Sequence, residues 1–195
     1  MSDSAQHRAR QALAQARDAL EAFLSDPDQP DRIARVAAVL GLAIRAGGKV
    51  LVCGNGGSLC DAMHFCEELT GRFRQDRRPL PALACTDPGH LSCTANDFGY
   101  EYVFARWVEA LGRRGDILIV LSTSGNSRNI VRAVEAGAAV GMTRVALLGG
   151  TGGVLSGLCE HQFIVPGTTS DRIQELHMLI LHTLVECVEA ELGLG

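Results

Sequence analysis

The chain has 195 residues, 47% of them apolar, with a formal net charge of −4 and a sequence pI near 5.8. That length suits one domain of ordinary size, burying roughly 70% of the surface its unfolded chain exposes. The acidic balance leaves no electrostatic footprint for nucleic acid or an anionic membrane, and no apolar run is long enough for a membrane helix. The first residues, MSDSAQHRARQ, carry early acidic groups and no apolar core, so they do not read as a secretory signal. Seven cysteines stand singly, with no CxxC pair, and read as reduced thiols of a cytoplasmic protein.

Residues 4–24 and 31–47 read as two helices, with Leu13, Ala16, Leu20, Phe23 and Leu24 at helical spacing. The stretch from Asp26 to Pro30 should interrupt them. This N-terminal helical arm is expected to pack on a partner subunit. From Lys49 the texture changes. The runs 50–53, 81–85, 116–121, 144–148 and 162–165 are short and continuously apolar, as strands buried on both faces should be. Helical stretches are expected at about 58–70, 101–111, 127–140 and 171–192. Strand, helix, strand with short glycine-rich connections predicts a parallel sheet with helices on both faces, binding its ligand beyond the carboxyl ends of the strands.

Two strand-to-helix junctions stand out. After the third run comes Ser122-Thr123-Ser124-Gly125-Asn126-Ser127, which sets four hydroxyls at a helix start. Free backbone N–H groups and the positive end of the helix dipole favour an anion there. With no Lys in the loop, amides and hydroxyls would carry most of a phosphate. The plainer alternative is that Asn126 or Ser127 only caps the helix. After the first run comes Gly54-Asn55-Gly56-Gly57-Ser58, a loop that permits close backbone approach, with Ser58 able to cap the next helix. It is neither GxGxxG nor a Walker A loop.

The helix at 58–70 puts His64 and Glu68 four apart on one face, where they could share a metal, pass a proton, or form an ordinary surface pair. Glu67 points about a quarter-turn away. In the last helix, His177 and His182 both lie among apolar residues. Gln174 and His182 differ by about 80° in direction and two turns in height, and spacing does not choose between the histidines. The cluster Asn96-Asp97-Phe98-Gly99-Tyr100 reads as a turn whose Asp97 either caps the next helix or binds sugar hydroxyls. Arg72, Arg74, Arg77 and Arg78 read as a solvated basic edge, from which Arg72 could turn toward an anion.

The motifs GNGGS-x-CDAMHFCEELTGRF, TANDFGY, STSGNS and DRIQELHMLILH, spread over residues 49 to 190, resemble the bacterial sedoheptulose 7-phosphate isomerases, or phosphoheptose isomerases, of the SIS domain superfamily. The resemblance implies a single SIS domain over 1–195, an α/β three-layer α/β/α sandwich with a five-stranded parallel sheet in flavodoxin-like order. It implies a cytoplasmic homotetramer whose N-terminal helices (1–47) pack in the oligomer and whose active sites lie between subunits. The implied reaction converts sedoheptulose 7-phosphate to D-glycero-D-manno-heptose 7-phosphate, the first step toward nucleotide-activated heptose such as that of lipopolysaccharide. By match, Asn55, Gly56, Gly57, Ser122, Thr123, Ser124 and Ser127 hold the phosphorylated heptose. Ser58, Arg72, Asn96, Asp97, Asp171 and Gln174 line the rest, and Glu68 and His182 fall on the acid/base pair. The resemblance also implies one zinc per subunit, through His64, Glu68, Gln174 and His182, and so selects His182 over His177.

The chain departs from the family at Leu59, where histidine is frequent, at Pro88-Gly89, and in the loop Gly167-Thr168-Thr169-Ser170. A non-catalytic SIS-domain adaptor or sugar-phosphate-binding protein is the alternative. The adaptor resembles this chain in its phosphate loop but lacks counterparts of Glu68 and His182. Aldose–ketose isomerisation moves a proton between C1 and C2, so a carboxylate base and an imidazole acid, working through an enediol, suit the chemistry. Zinc would polarise the carbonyl, though a carboxylate that is both ligand and base is an awkward combination.

Overall fold

The structure, a computed structural model, describes residues 4–194; the ends of the single-domain span, residues 1–3 and 195, lie outside it. Five parallel strands form one sheet: β1 (Val50–Gly54), β2 (Ala82–Ala84), β3 (Ile117–Ser122), β4 (Thr143–Gly149) and β5 (His161–Val165). Their order is β2-β1-β3-β4-β5, the flavodoxin-like arrangement the resemblance implied. Each predicted apolar run is one of these strands. Alternate residues of β3 feed two separate cores: Ile117, Ile119 and Leu121 pack on one face of the sheet, Leu118 and Val120 on the other. That two-sided burial is why the strands read as unbroken apolar runs.

The first face is covered by α2 (Gln29–Arg45), α3 (Gly57–Thr70) and α7 (Ser170–Leu192), with α1 (Ala5–Leu24) lying over α7. The second is covered by α5 (Val103–Leu111) and α6 (Arg128–Val140), with α4 (Pro88–Phe98) beside them. The result is a three-layer α/β/α sandwich. The arm is only partly docked. Of α1, Phe23 alone is buried, while Leu13 and Leu24 are 73% and 58% exposed.

Two boundaries differ from the sequence reading. Pro30 does not interrupt the arm but sits in the first turn of α2, where its missing N–H costs nothing. The region of Asn96 to Tyr100 is not a free turn. Asn96, Asp97 and Phe98 form the last turn of α4, a helix the periodicity did not reveal because only Thr94 of it is buried. Asp87 caps α4 by accepting the His90 N–H at 2.6 Å, and Pro88 opens the first turn. Asp97 caps nothing; it accepts hydrogen bonds from Asn96 Nδ2 at 2.8 Å and the Cys93 thiol at 3.4 Å, which hold its carboxyl below the usual range.

Candidate active site

At the carboxyl ends of β1 and β3, three helices begin around one cavity of about 290 Å³, lined by Asn55, Gly57, Ser58, Ser122, Thr123, Ser127, Ser170 and Gln174. None of the three helix starts has a side-chain cap. The N-cap of α3 is Gly56, at φ 55°, a left-handed conformation that glycine adopts freely. Ser127 is the N-cap residue of α6, but its hydroxyl makes no capping bond. Thr169 precedes α7 without capping it. The first N–H groups of a helix have no partner from a preceding turn, and with no side-chain cap at these three starts, three positive dipole ends gather around the cavity. The capping alternative for Ser127 is therefore set aside, and Ser58, expected as a cap, is instead buried inside the first turn of α3.

The loop between β3 and α6 is held from behind. Ser122 Oγ accepts the Gly125 N–H at 3.1 Å, and Asn126 Oδ1 accepts the Val154 N–H at 3.0 Å. Ser124 is exposed and accepts the Asn126 N–H at 3.2 Å, so it serves the turn and does not line the cavity. Thr123 and Ser170 share a hydroxyl contact at 3.2 Å across the mouth. Ser170 was missed from sequence; the signal was a hydroxyl at the start of the last helix.

Asn55 and Asn129 form a reciprocal amide pair, with bonds of 3.0 and 2.8 Å, and the Tyr100 hydroxyl donates to Asn55 Oδ1 at 3.0 Å. Asn55 therefore keeps one amide hydrogen for a ligand, while its carbonyl accepts the Ser58 N–H at 3.0 Å. Asn129, 4% exposed, was not singled out from sequence.

From the cavity, α3 and α7 run side by side in the same direction. The Gln174 amide lies against Gly57, where an added Cβ would come within 2.6 Å of it, and donates to Ser58 Oγ at 3.4 Å. Two turns further on, His64 Nε2 lies 3.1 Å from Glu68 Oε1 and 3.4 Å from His182 Nε2. The Glu68 side chain is 16% exposed and that of His64 48%. Phe73 stacks on His182 with centroids 5.9 Å apart.

His64, Glu68 and His182 offer donor atoms within 4.8 Å of one another, the one such cluster among the described residues. Two imidazoles and a carboxylate form a donor set that zinc takes, and bonds of about 2.0–2.1 Å at a tetrahedral angle put ligand atoms roughly 3.3 Å apart. The observed 3.1 and 3.4 Å spacings fit that group. Gln174, the fourth implied ligand, points to Ser58, about 12 Å back along α7. Asp61 lies on the same stripe of α3. Burial raises its carboxyl to about 6 against the opposing pull of His64, and its Oδ2 has no partner.

The remaining expected site residues lie outside this lining. Arg72 is exposed beyond the far end of α3, about 22 Å from Gly57 along the axis. Asn96 and Asp97 are exposed at the end of α4. Asp171 is exposed, held at about 2 by the Thr169 hydroxyl and by Arg172. His177 is fully buried, and neither ring nitrogen makes a hydrogen bond of regular geometry, the Leu148 backbone being only a weak polar neighbour. Burial pushes it down to about 4, only partly offset by the Leu148 backbone, so it is a neutral core residue.

The SIS domain model matches residues 13–149. A phosphoheptose isomerase of Fusobacterium nucleatum is 53% identical over 170 residues, 87% of this chain and 88% of that protein. One from Vibrio cholerae is 51% identical, over 94% of this chain and 97% of its own. Among solved structures, a phosphoheptose isomerase from Francisella tularensis superposes with a TM-score of 0.91 at 36% identity, covering 96% of this chain and 99% of that one.

Proposed function

We propose, from the premise that this chain belongs to the SIS domain family and within it to the phosphoheptose isomerases, a mechanism for its conversion of sedoheptulose 7-phosphate to D-glycero-D-manno-heptose 7-phosphate. The observation that carries it is the spacing between the two ends of the site. Glu68 is about 16 Å up α3 from Gly57, and helical side chains lean back toward the N-terminus, leaving its carboxylate roughly 11 Å from the cavity. An extended seven-carbon sugar with a terminal phosphate, at bond lengths near 1.5 Å, spans about 10 Å. A phosphate held by the three helix starts thus brings C1 and C2 to Glu68 and His182.

In this reading the Ser122, Thr123 and Ser127 hydroxyls and the helix-start amides bind the phosphate dianion, with Ser124 shaping the loop. That grip on a remote group supplies binding energy to orient the reacting carbons. Asn55, Gly56, Gly57, Ser58 and Gln174 border the chain of the sugar. Glu68 removes the carbon proton, and His182 donates to the neighbouring oxygen to give the enediol. Return of the proton to the other carbon completes the exchange. Zinc, when bound, would be held by His64, Glu68 and His182, with Gln174 as the fourth ligand the resemblance implies, and would polarise the substrate carbonyl in place of a proton from His182, whose Nε2 would then be a ligand.

We further propose a single domain that assembles as a homotetramer with active sites between subunits. The open flank of His64 supports this. So does an apolar groove of about 440 Å³ between α1, α2 and α7, lined by Leu20, Phe23, Leu24, Ile33 and Leu179. Arg72, Asn96, Asp97 and Asp171 would then complete a neighbour's site. Seven cysteines, all free thiols, support a cytoplasmic location, with the product feeding nucleotide-activated heptose.

The test is turnover of sedoheptulose 7-phosphate by Glu68→Gln and His182→Ala. Losses of at least a hundredfold in kcat are expected. Wild-type rates in both would remove the pair.

A further inference from the structure

The loop after α3, expected as a solvated edge, contains a buried ion pair. The Arg77 side chain is 2% exposed and that of Glu189 8%. Arg77 Nε donates to Glu189 Oε1 at 2.8 Å. Its Nη2 donates to the Glu68 carbonyl at 2.6 Å, and its Nη1 to the carbonyls of Leu69 at 2.8 Å, Gly71 at 2.9 Å and Arg78 at 3.3 Å. The last carbonyls of a helix have no partner within it and carry the negative end of its dipole. Helix α3 has no basic residue in its last turn and no left-handed cap, since Gly71 sits at φ −93°. Arg77 reaches back and supplies both missing functions with one fork of donors.

The other end of the fork lies on α7. Glu189 follows His182 by seven residues, 20° short of two full turns, so both side chains leave the same face about 10 Å apart. On α3, the residue whose carbonyl Arg77 grips is Glu68 itself. One guanidinium therefore ties the backbone of the proposed base to the helix face that presents the proposed acid. The phosphate cradle, at the opposite end of α3, is not touched by it.

We propose that the Arg77–Glu189 pair positions the proton-transfer residues, fixing the distance from Glu68 to His182 without contacting substrate. The proposal rests on the reading of those two residues as the acid/base pair. A purely structural role is the competing explanation, and the two differ in what they move. Replacing a buried ion pair by apolar groups of similar size is commonly neutral or stabilising, but it removes the grip on the α3 carbonyls. An error of about 1 Å in catalytic geometry can cost on the order of a hundredfold in rate.

The experiment compares kcat and KM for sedoheptulose 7-phosphate in wild type, the double variant Arg77→Met/Glu189→Leu, and Arg77→Lys, whose compact ammonium cannot span the carboxylate and the carbonyls. Thermal unfolding of each reports the fold. The expected result, in whichever variant melts near wild type, is a kcat reduced about tenfold or more with KM within about threefold. A folded variant with wild-type kcat would overturn the proposal, as would kcat and KM degrading together. Glu68→Gln and His182→Ala are assayed alongside. If they turn over normally, the acid/base assignment has failed; if they are inactive while the Arg77 variants are fully active, only the positioning role has.

Discussion

Replacing Asn129 with alanine should weaken substrate binding while sparing the chemistry. Asn129 is 4% exposed in the first turn of α6, and its amide exchanges two hydrogen bonds with Asn55 in the loop between β1 and α3. The pair spans the two loops that frame the proposed phosphate cavity. Each neutral bond is worth about 1 kcal/mol net, so the substitution should cost about 2 kcal/mol of folding stability. Asn55 keeps only the Tyr100 hydroxyl as a partner. If half the loss is carried by the loop that must receive the phosphate, KM rises about fivefold, since 1.4 kcal/mol is tenfold. Glu68 and His182 lie two turns and more away, so kcat should stay within about twofold. Steady-state isomerisation gives both constants, and urea unfolding gives the stability. The reasoning fails if Asn129→Ala folds with the expected loss yet keeps its KM, or if kcat falls while KM holds. Tyr100→Phe should cost less, and the double variant should be non-additive, because both partners act on the same oxygen.

Gly125→Ala should be among the most damaging changes in the phosphate loop. Gly125 sits at φ +64°, and an added Cβ would lie 2.0 Å from the Gly152 carbonyl oxygen, a backbone atom with nowhere to move. Left-handed strain of about 1–2 kcal/mol and overpacking of about 1–3 kcal/mol together predict a loss of several kcal/mol by urea unfolding. His177 gives a pH signature. It stays neutral when folded down to about 4 but charges below 6.5 when unfolded, so stability present above pH 6.5 drains away as pH falls toward 4. His177→Leu should flatten that limb by about 2 kcal/mol at pH 5 while changing little at pH 7.5; parallel urea curves for both proteins would refute this. Dialysis against a chelator should strip about one zinc per chain, read by elemental analysis, and His64→Ala should retain none. Full metal retention in His64→Ala would move the site elsewhere.

Much of the fold is visible in the sequence because a parallel sheet covered on both sides demands apolar residues at every strand position, and that demand leaves a local mark. Helix α4 escaped because it packs beside α5 with little to bury, so it shows almost no 3.6-residue pattern. Its signature was elsewhere, in an aspartate followed by a proline, a cap and a first-turn residue. Pro30 misled in the opposite sense, because a proline marks the inside of a helix start as readily as a break.

The site divides along the same physical line. Hydroxyls and glycines at strand-to-helix junctions are local features, as is the four-residue step from His64 to Glu68. What the sequence could not disclose is which distant residue answers each of these. Asn129 lies 74 positions from Asn55, and Glu189 lies 112 from Arg77. Such pairs show no periodicity, because neither partner's own helix requires it. The first ties α6 to the loop before α3, and the second ties the end of α3 to α7, the relation on which the proposed mechanism depends. Both helices start at the cavity, and in the proposed mechanism they carry their reactive side chains two to three turns along, so the pair would act as a ruler whose zero is the phosphate. A ruler of this kind requires its two edges to keep register. Gln174 against Gly57 fixes one end, His64 meets His182 beside Glu68 in the middle, and the buried guanidinium bridges the far end.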